Sequence, residues 1–130
     1  MNGFPAVRAA GEGPPVPPPA SSSPNRPALR SIDLGGVRIE RPVLLAPMSG
    51  VTDLPFRRLA RTLGTPMVVS EMIASQAMVR ENRQTLKMAE VDGFGGPASV
   101  QLAGCDPAVM ADAARLAADR GAAIVDINFG

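Results

Sequence analysis

Residues 98–128 have the sequence ASVQLAGCDPAVMADAARLAADRGAAIVDIN, and this stretch decides the fold. Residues 98–102 and 123–128 are short runs in which apolar residues predominate, and each predicts a strand. Between these runs, Asp106, followed by a proline, can begin a helix, and Gly121 can end it. A strand, a helix and a second strand in this order predict a right-handed crossover in a parallel sheet.

The same alternation of elements occurs earlier in the chain. Residues 43–46 and 67–69 are apolar runs, and between them Thr52 and Asp53 can cap a helix. The apolar side chains of that helix recur at helical spacing and predict a face directed at a core: Phe56, Leu59, Ala60 and Leu63. A more polar helical stretch follows at about residues 75–87. The pattern predicts an α/β protein with a parallel sheet, either a β/α barrel or an open doubly wound sheet.

The amino-terminal part of the chain divides into two regions. Residues 1–30 are rich in Pro, Ala and Ser and have too few large apolar groups to repay the entropy of ordering, so we expect a disordered tail. Residues 31–34 and 37–39 alternate apolar and polar side chains around two successive glycines, which predicts a short β-hairpin. The folding part, residues 31–130, is well short of the roughly 250 residues of a complete eight-stranded barrel.

The composition excludes several classes of function. The net charge of +1 gives no electrostatic signature of a nucleic-acid-binding surface, and we expect Arg57, Arg58 and Arg61 to face solvent on their helix. The single cysteine, Cys105, permits neither a disulfide within the chain nor a zinc site with paired cysteines. No apolar stretch approaches the roughly 20 residues needed to span a membrane, and no secretory signal is evident. We expect a cytoplasmic protein that binds neither membrane nor metal.

Polar residues lie at the end of each strand predicted for the parallel sheet. They are the loop 47–50 after the first strand, Glu71 after the second, Gln101 near the end of the third, and Asp126 and Asn128 in the fourth. Ligands of both α/β architectures bind beyond the carboxyl ends of the strands. Each side chain alone could have a structural role, such as an ion pair, a loop hydrogen bond or a turn cap. Together they favour a binding site, which we call the strand-end rim.

The chemistry available at the strand-end rim is limited. The sequence has no histidine, so a Ser/His or Cys/His nucleophile is excluded, and it has no phosphate-binding G-x-x-x-x-G-K-[ST] loop. Gly93, Gly95 and Gly96 lie between a helix and a strand, which indicates a flexible connection and not a dinucleotide site. Cys105 precedes a helix cap, but we do not expect it to be reactive. The neutral donors and acceptors that remain suit a cofactor that supplies its own reactivity.

Residues 46–57, APMSGVTDLPFR, resemble the A-P-M-x-G-x-T-D-x-P-F-R signature of the tRNA-dihydrouridine synthases. Three further motifs of that family follow in order: residues 70–72 (SEM), 100–104 (VQLAG) and 126–130 (DINFG). The first and last of these are similar to the bacterial branch of the family. The resemblance covers about residues 31–130, and four ordered motifs at family-like spacing make it specific.

The resemblance implies the first half of an FMN-binding (β/α)8 TIM barrel, preceded by the tail and the hairpin. It implies an enzyme that reduces uridine to dihydrouridine in tRNA with NADPH as the reductant. Carried over by position, Pro47, Met48 and Ser49 would lie against the flavin ring, and Gln101 would hydrogen-bond its polar edge. Asn128 would bind both flavin and uridine. Glu71 would help to place the uridine base, which must leave the tRNA stack.

In that family, the cysteine that donates a proton to the uracil follows the D-I-N-x-G motif, which would put it just after Gly130. Cys105 lies one strand and one helix too early for this role. We therefore expect no catalytic residue in this segment and no activity from it alone. Two alternatives stay open: another FMN barrel of the dihydroorotate dehydrogenase kind, and a non-catalytic fragment that binds a partner through residues 1–30. Four strands leave open edges, so we expect the isolated chain to be poorly soluble or loosely packed.

Overall fold

The structure, a computed structural model, describes residues 29–91 and 95–130. The tail predicted for residues 1–30 lies almost entirely outside the described residues. Gly93 also lies outside them. The strands are β1 (Ile32–Leu34), β2 (Val37–Ile39), β3 (Leu44–Leu45), β4 (Met67–Val69), β5 (Ile73–Ala74), β6 (Ala98–Ala103) and β7 (Ile124–Asn128). The helices are α1 (Leu54–Thr62), α2 (Ser75–Val79), α3 (Arg83–Met88) and α4 (Pro107–Asp119). Within the described ranges, no helix has the length and apolar content to cross a bilayer.

Five of the strands form one parallel sheet. β3 pairs with β4. One side of β6 pairs first with β4 and, further along, with β5. The other side of β6 pairs with β7. In the described part of the chain, the strands lie side by side in chain order, without the reversal of order that defines a doubly wound sheet. α1 connects β3 to β4, and α4 connects β6 to β7, as βαβ units require. The prediction of an α/β protein with a parallel sheet is confirmed.

The two faces of this sheet differ in chemistry because alternate residues of a strand point to opposite sides. Val100 and Leu102 of β6 are fully buried in an apolar cluster that includes Ala113 and Ala117 of α4, and we call this side the outer face. The opposite side, the inner face, carries the polar Ser99 and Gln101 of β6. An apolar cluster on this face includes Met67 and Val69 of β4 and Ile124 of β7.

The predicted β-hairpin is confirmed. β1 and β2 pair antiparallel and are joined by Gly35 and Gly36, whose φ angles of 60° and 90° favour glycine. The Asp33 Oδ1 accepts a hydrogen bond from the Gly36 N–H at 2.7 Å, which closes the turn. Ile39 at the end of β2 is buried against the three apolar side chains of the inner face. The hairpin therefore covers the amino-terminal part of that face.

The helical stretch predicted for residues 75–87 is in fact two short helices, α2 and α3. Glu81 between them has a left-handed φ of 49°, which a continuous helix does not accommodate. Asn82 then caps α3, because its Oδ1 accepts a hydrogen bond from the Gln84 N–H at 2.9 Å. The strand predicted for residues 43–46 is shortened to β3, and β5 is a strand that the sequence pattern did not indicate.

α1 differs most from its prediction. Asp53 caps it as expected, accepting a hydrogen bond from the Phe56 N–H at 3.0 Å. Three of the four apolar side chains predicted to face a core are exposed: Phe56 by 37%, Leu59 by 56% and Leu63 by 65%. Arg57, which we predicted to face solvent, is only 2% exposed. The prediction of which side of α1 is buried was wrong. The helix directs arginine hydrogen-bond donors toward the rest of the described chain, and its apolar stripe is left exposed.

Arg61 was also predicted to face solvent, and it instead ties α1 to the segment before β6. Its guanidinium donates to the carbonyl oxygens of Pro66 at 2.7 Å and Gly96 at 2.9 Å, and also to that of Pro97. The five N–H donors of a planar guanidinium allow one arginine to satisfy several carbonyls at once. Of the three arginines, only Arg58 is exposed as predicted.

The first testable prediction concerns the edges of the sheet. Among the described residues, no strand pairs with the outer edge of β3 or β7, and Phe129 beyond β7 is 95% exposed. Unpaired edges and exposed apolar groups favour association. We therefore expect the purified 130-residue chain to self-associate in light scattering and to unfold without a sharp transition. A monomer with a cooperative thermal melt would contradict this expectation.

Candidate functional site at the strand ends

The loop from Pro47 to Gly50 connects β3 to α1 and forms one side of the strand-end rim. Gly50 has a φ of 73°, so the turn at this position favours glycine. The Thr52 hydroxyl accepts a hydrogen bond from the Met48 N–H at 3.0 Å and donates one to the Met48 carbonyl at 3.1 Å. These bonds fix the backbone in the middle of the loop, while the side chains of Met48 and Ser49 are exposed.

Glu71 joins the end of β4 to this loop. Its Oε2 accepts a hydrogen bond from the Gly50 N–H at 2.5 Å. β4 and β5 both pair with β6, and the three residues between them, 70–72, lie opposite only two residues of β6, 100–101. The extra residue makes a β-bulge, a feature that redirects side chains where a strand ends. The bulge therefore lets Glu71 reach the preceding loop.

Ser70 keeps this bulge bonded to β6. Its N–H donates to the Ser99 carbonyl at 2.9 Å, and its hydroxyl accepts from the Gln101 N–H at 3.1 Å. The same hydroxyl donates to the Glu71 carbonyl at 2.8 Å. Because Ser70 is fully buried, its hydroxyl takes the place of the strand carbonyl that a regular ladder would provide.

Three polar side chains of β6 and β7 form the other side of the strand-end rim. The Gln101 Nε2 donates to the Asp126 Oδ2 at 2.7 Å, and the Asn128 Nδ2 donates to the Gln101 Oε1 at 3.4 Å. The Asn128 Oδ1 accepts from the Gly130 N–H at 2.8 Å. Asp126 thus has the partner that a half-buried carboxylate needs. The amide nitrogens of Gln101 and Asn128 each carry a second N–H for a ligand.

The structure brings together the residues that the sequence assigned to the strand-end rim. The Glu71–Gly50 bond joins the first two strand ends, and the bond from the Gln101 N–H to Ser70 joins the second to the third. The bond from Gln101 to Asp126 joins the third to the fourth. The rim is therefore one hydrogen-bonded arrangement of neutral amides, carboxylates and exposed backbone, suited to binding a polar, planar molecule.

Other reactive groups lie apart from the rim. Cys105 is exposed and lines a separate small cleft with Ser75 and Asp106. Among residues 29–91 and 95–130, no group of three His, Cys, Asp or Glu side chains could hold a metal ion.

A cleft of about 410 Å³ lies on the inner face, and two residues of the strand-end rim, Pro47 and Asp126, line it. Most of its other lining is apolar: Leu34, Leu44, Leu45, Met67, Val69, Ile124 and Val125. Ser99 also lines it, and its Oγ, buried with the residue 1% exposed, has no hydrogen-bond partner among the described residues.

Sequence reasoning missed three contributors to this site: Thr52 as a loop anchor, Ser70 as the bulge hydrogen bond and Ser99 in the cleft. The one sequence feature that could have indicated these three residues is that each lies within or beside one of the four family-like motifs. Small hydroxyl residues are common in every context, so composition and spacing do not distinguish them.

The sequence is similar to known proteins over the same region. The family model described as dihydrouridine synthase (Dus) matches residues 44–130, which include every residue of the strand-end rim. A probable tRNA-dihydrouridine synthase of Rickettsia bellii is 51% identical over 100 residues, which are 76% of this chain and 31% of that protein. The tRNA-dihydrouridine synthase B of Pseudomonas aeruginosa is 46% identical over 99 residues, 76% of this chain and 30% of that protein. The chain thus spans about three tenths of the length of the curated relatives it matches.

The bond between Glu71 and Gly50 gives a prediction about stability. We define a hybrid protein in which residues 44–130 replace the matching segment of the Rickettsia bellii relative. In this hybrid protein, Glu71→Leu should lower the free energy of unfolding by about 1–2 kcal/mol, because the Gly50 N–H loses a charged acceptor. Glu71→Gln should cost less, since its amide oxygen still accepts.

Urea unfolding measures both changes. Glu90→Leu is the matched control, because the Glu90 side chain is exposed and lies outside the rim. A Glu71→Leu variant as stable as the control would show that the loop does not depend on this bond.

Proposed function

The chain belongs to the dihydrouridine synthase family, and on this premise we propose that it forms part of the active site of an FMN-dependent tRNA-dihydrouridine synthase. Such an enzyme reduces uridine to dihydrouridine in tRNA, with NADPH as the reductant. The observation that carries the proposal is the strand-end rim, in which four strand ends of one sheet are joined by hydrogen bonds within the matched residues. The alternative of a dihydroorotate dehydrogenase-like barrel is set aside, because the matching family is dihydrouridine synthase.

We further propose that residues 31–130 are the first part of a (β/α)8 TIM barrel and that residues 1–30 form a disordered tail. The barrel is supported by parallel strands that lie in chain order and by a cleft on the inner face beside the strand-end rim. The alternative of a binding fragment that acts through residues 1–30 concerns a segment that is almost wholly outside the described residues. It stays a hypothesis.

The residues of the strand-end rim fit the ring of FMN. A flavin ring needs an apolar surface against its face and hydrogen-bonding groups along its polar edge. Pro47, Met48 and Ser49 offer the surface, and the exposed Met48 side chain is its largest apolar group. The amides of Gln101 and Asn128 offer donors and acceptors for the edge. Bound FMN would supply the hydride chemistry that no side chain of this segment provides.

The protein groups of the rim act by orienting what they bind. Asp126 accepts from the Gln101 Nε2, which fixes the direction of that amide before a ligand arrives. Asn128 lies beside Gln101, and we assign it to both the cofactor and the uridine. Glu71 uses Oε2 for the Gly50 N–H, so its Oε1 can accept the imide N–H of a uracil base. We therefore assign Glu71 to placement of the uridine.

We assign no catalytic residue to this chain. The family pattern has the cysteine that protonates the uracil directly after the D-I-N-x-G motif, and Cys105 is exposed in a separate cleft. The proposed partner is tRNA, from which a single unstacked uridine reaches the site. A role in tRNA modification is the reason to propose a cytoplasmic location.

The flavin assignment predicts an effect of Gln101 on cofactor affinity. Gln101→Ala in the hybrid protein should weaken FMN binding about tenfold, because the variant loses an amide at the ring edge and leaves Asp126 without its donor. Quenching of FMN fluorescence measures the dissociation constant. Gln76→Ala changes an exposed glutamine of α2 and is the control. Equal affinities in the two variants would argue against a role for Gln101 in holding the cofactor.

The proposed activity is tested directly with unmodified tRNA. With FMN and NADPH, the hybrid protein should form dihydrouridine, quantified by mass spectrometry of the digested tRNA. The 130-residue chain under the same conditions should form none, because the family's proton donor lies outside it. Dihydrouridine formed by the chain alone would refute its inactivity. An inactive hybrid beside an active Rickettsia bellii protein would count against the proposed function.

A further inference from the structure

We infer that Thr52 and Arg57 are positioning residues that set the geometry of the loop from Pro47 to Gly50. Neither side chain belongs to the strand-end rim. Both act on the backbone that presents Met48 and Ser49, and the inference rests on the proposed function insofar as this loop holds a flavin. Thr52 bonds to the Met48 backbone, Arg57 bonds to the Thr52 carbonyl, and Glu71 bonds to Gly50 at the other end of the loop.

Thr52 restrains the centre of the loop through hydrogen bonds from its side chain. Its side chain is fully buried, and its hydroxyl is committed in both directions, accepting from the Met48 N–H and donating to the Met48 carbonyl. The Met48 carbonyl also accepts from the N–H groups of Val51 at 3.1 Å and Thr52 at 3.0 Å. The backbone of Met48 therefore has little freedom, although its side chain is 38% exposed. A buried hydroxyl with this geometry restrains a peptide group that otherwise has no regular secondary structure.

Arg57 anchors Thr52 to a distant part of the chain. Its Nε donates to the Thr52 carbonyl at 3.1 Å. Its two terminal nitrogens donate to the carbonyls of Met88 at 3.1 Å and Glu90 at 3.0 Å, at and just beyond the end of α3. The carbonyl end of a helix favours a cation, which helps to offset the cost of burying the guanidinium. The loop is thereby fixed relative to α3 through one side chain.

The loop is also held from the opposite end. Glu71 accepts from the Gly50 N–H, so bonds at Met48 and Gly50 bracket Ser49 on both sides. A loop fixed at two points loses less entropy when a ligand binds to it. Residues that contact a ligand bind it well only when neighbouring residues hold them in place. Thr52 and Arg57 hold the loop residues that we assign to the face of the flavin.

The first test compares two substitutions at one position. Thr52→Val keeps the shape of the side chain and removes the hydroxyl, whereas Thr52→Ser keeps the hydroxyl. In the hybrid protein, hydrogen exchange at the Met48 amide should be about tenfold faster in Thr52→Val than in Thr52→Ser, because only the valine variant leaves that N–H without its acceptor. Val100 in the core of β6 serves as the internal reference and should exchange alike in both variants.

The second test makes the same comparison for the cofactor. In the hybrid protein, Thr52→Val should weaken FMN binding about tenfold, and Thr52→Ser should restore affinity to within about twofold of the parent. Arg57→Lys, which keeps the charge but loses the fork of donors, should also weaken binding. Arg115→Lys makes the same change at an exposed arginine of α4 and should have no effect.

The outcomes separate the inference from the proposed function. Equal Met48 exchange in the valine and serine variants, including complete exchange in both, would overturn the inference. Faster exchange with unchanged FMN affinity would overturn the link between the loop and the cofactor. If the parent hybrid protein binds no FMN while the Rickettsia bellii protein does, the proposed function fails, and the exchange measurement still decides whether Thr52 positions the loop.

Discussion

Ser70 supplies the hydrogen bond on which both the register of the sheet and the geometry of the site depend. Its buried hydroxyl accepts from the Gln101 N–H at the bulge where the β4–β5 side of the sheet has one residue more than β6. A buried N–H left without a partner costs about 1–3 kcal/mol, so the bulge needs a side chain of this kind at this place. The bulge in turn directs Glu71 to the preceding loop. One hydroxyl group therefore connects the pairing of the strands to the arrangement of the polar groups beyond them.

The consequences of this register follow from the alternation of side chains along β6. Val100 and Leu102 enter the outer core, while Ser99 and Gln101 lie on the inner face. A shift of one residue would exchange the two sets and bury polar groups among the helices. The stability of the described segment thus comes mainly from the outer face, and its binding chemistry comes from the inner face. Both depend on the same pairing.

The features that the sequence predicted correctly are those encoded by a few neighbouring residues. Two successive glycines indicated the hairpin, and both have positive φ in the structure. Asp106 was predicted to cap α4, and it accepts hydrogen bonds from the N–H groups of Ala108 and Val109. The polar residues of the strand-end rim were predictable because parallel strands bring their carboxyl ends to one edge. The contacts among them were not, since the bond from Glu71 to Gly50 depends on a bulge that alternation does not reveal.

α1 shows why the remainder was beyond the sequence pattern. Apolar residues at helical spacing predict a helix, but the side that is buried depends on what the neighbouring segments leave unsatisfied. Here the carbonyls at and just beyond the end of α3 and those before β6 accept hydrogen bonds from Arg57 and Arg61, at Met88, Glu90 and residues 95–97. These hydrogen bonds direct the arginine side of α1 toward the two segments, and its apolar stripe lies outside them. The arginine spacing within the T-D-x-P-F-R-R-x-x-R stretch thus reflects irregular backbone in two other segments of the chain. This relation can be recognised only when the positions of α1 and those segments are known.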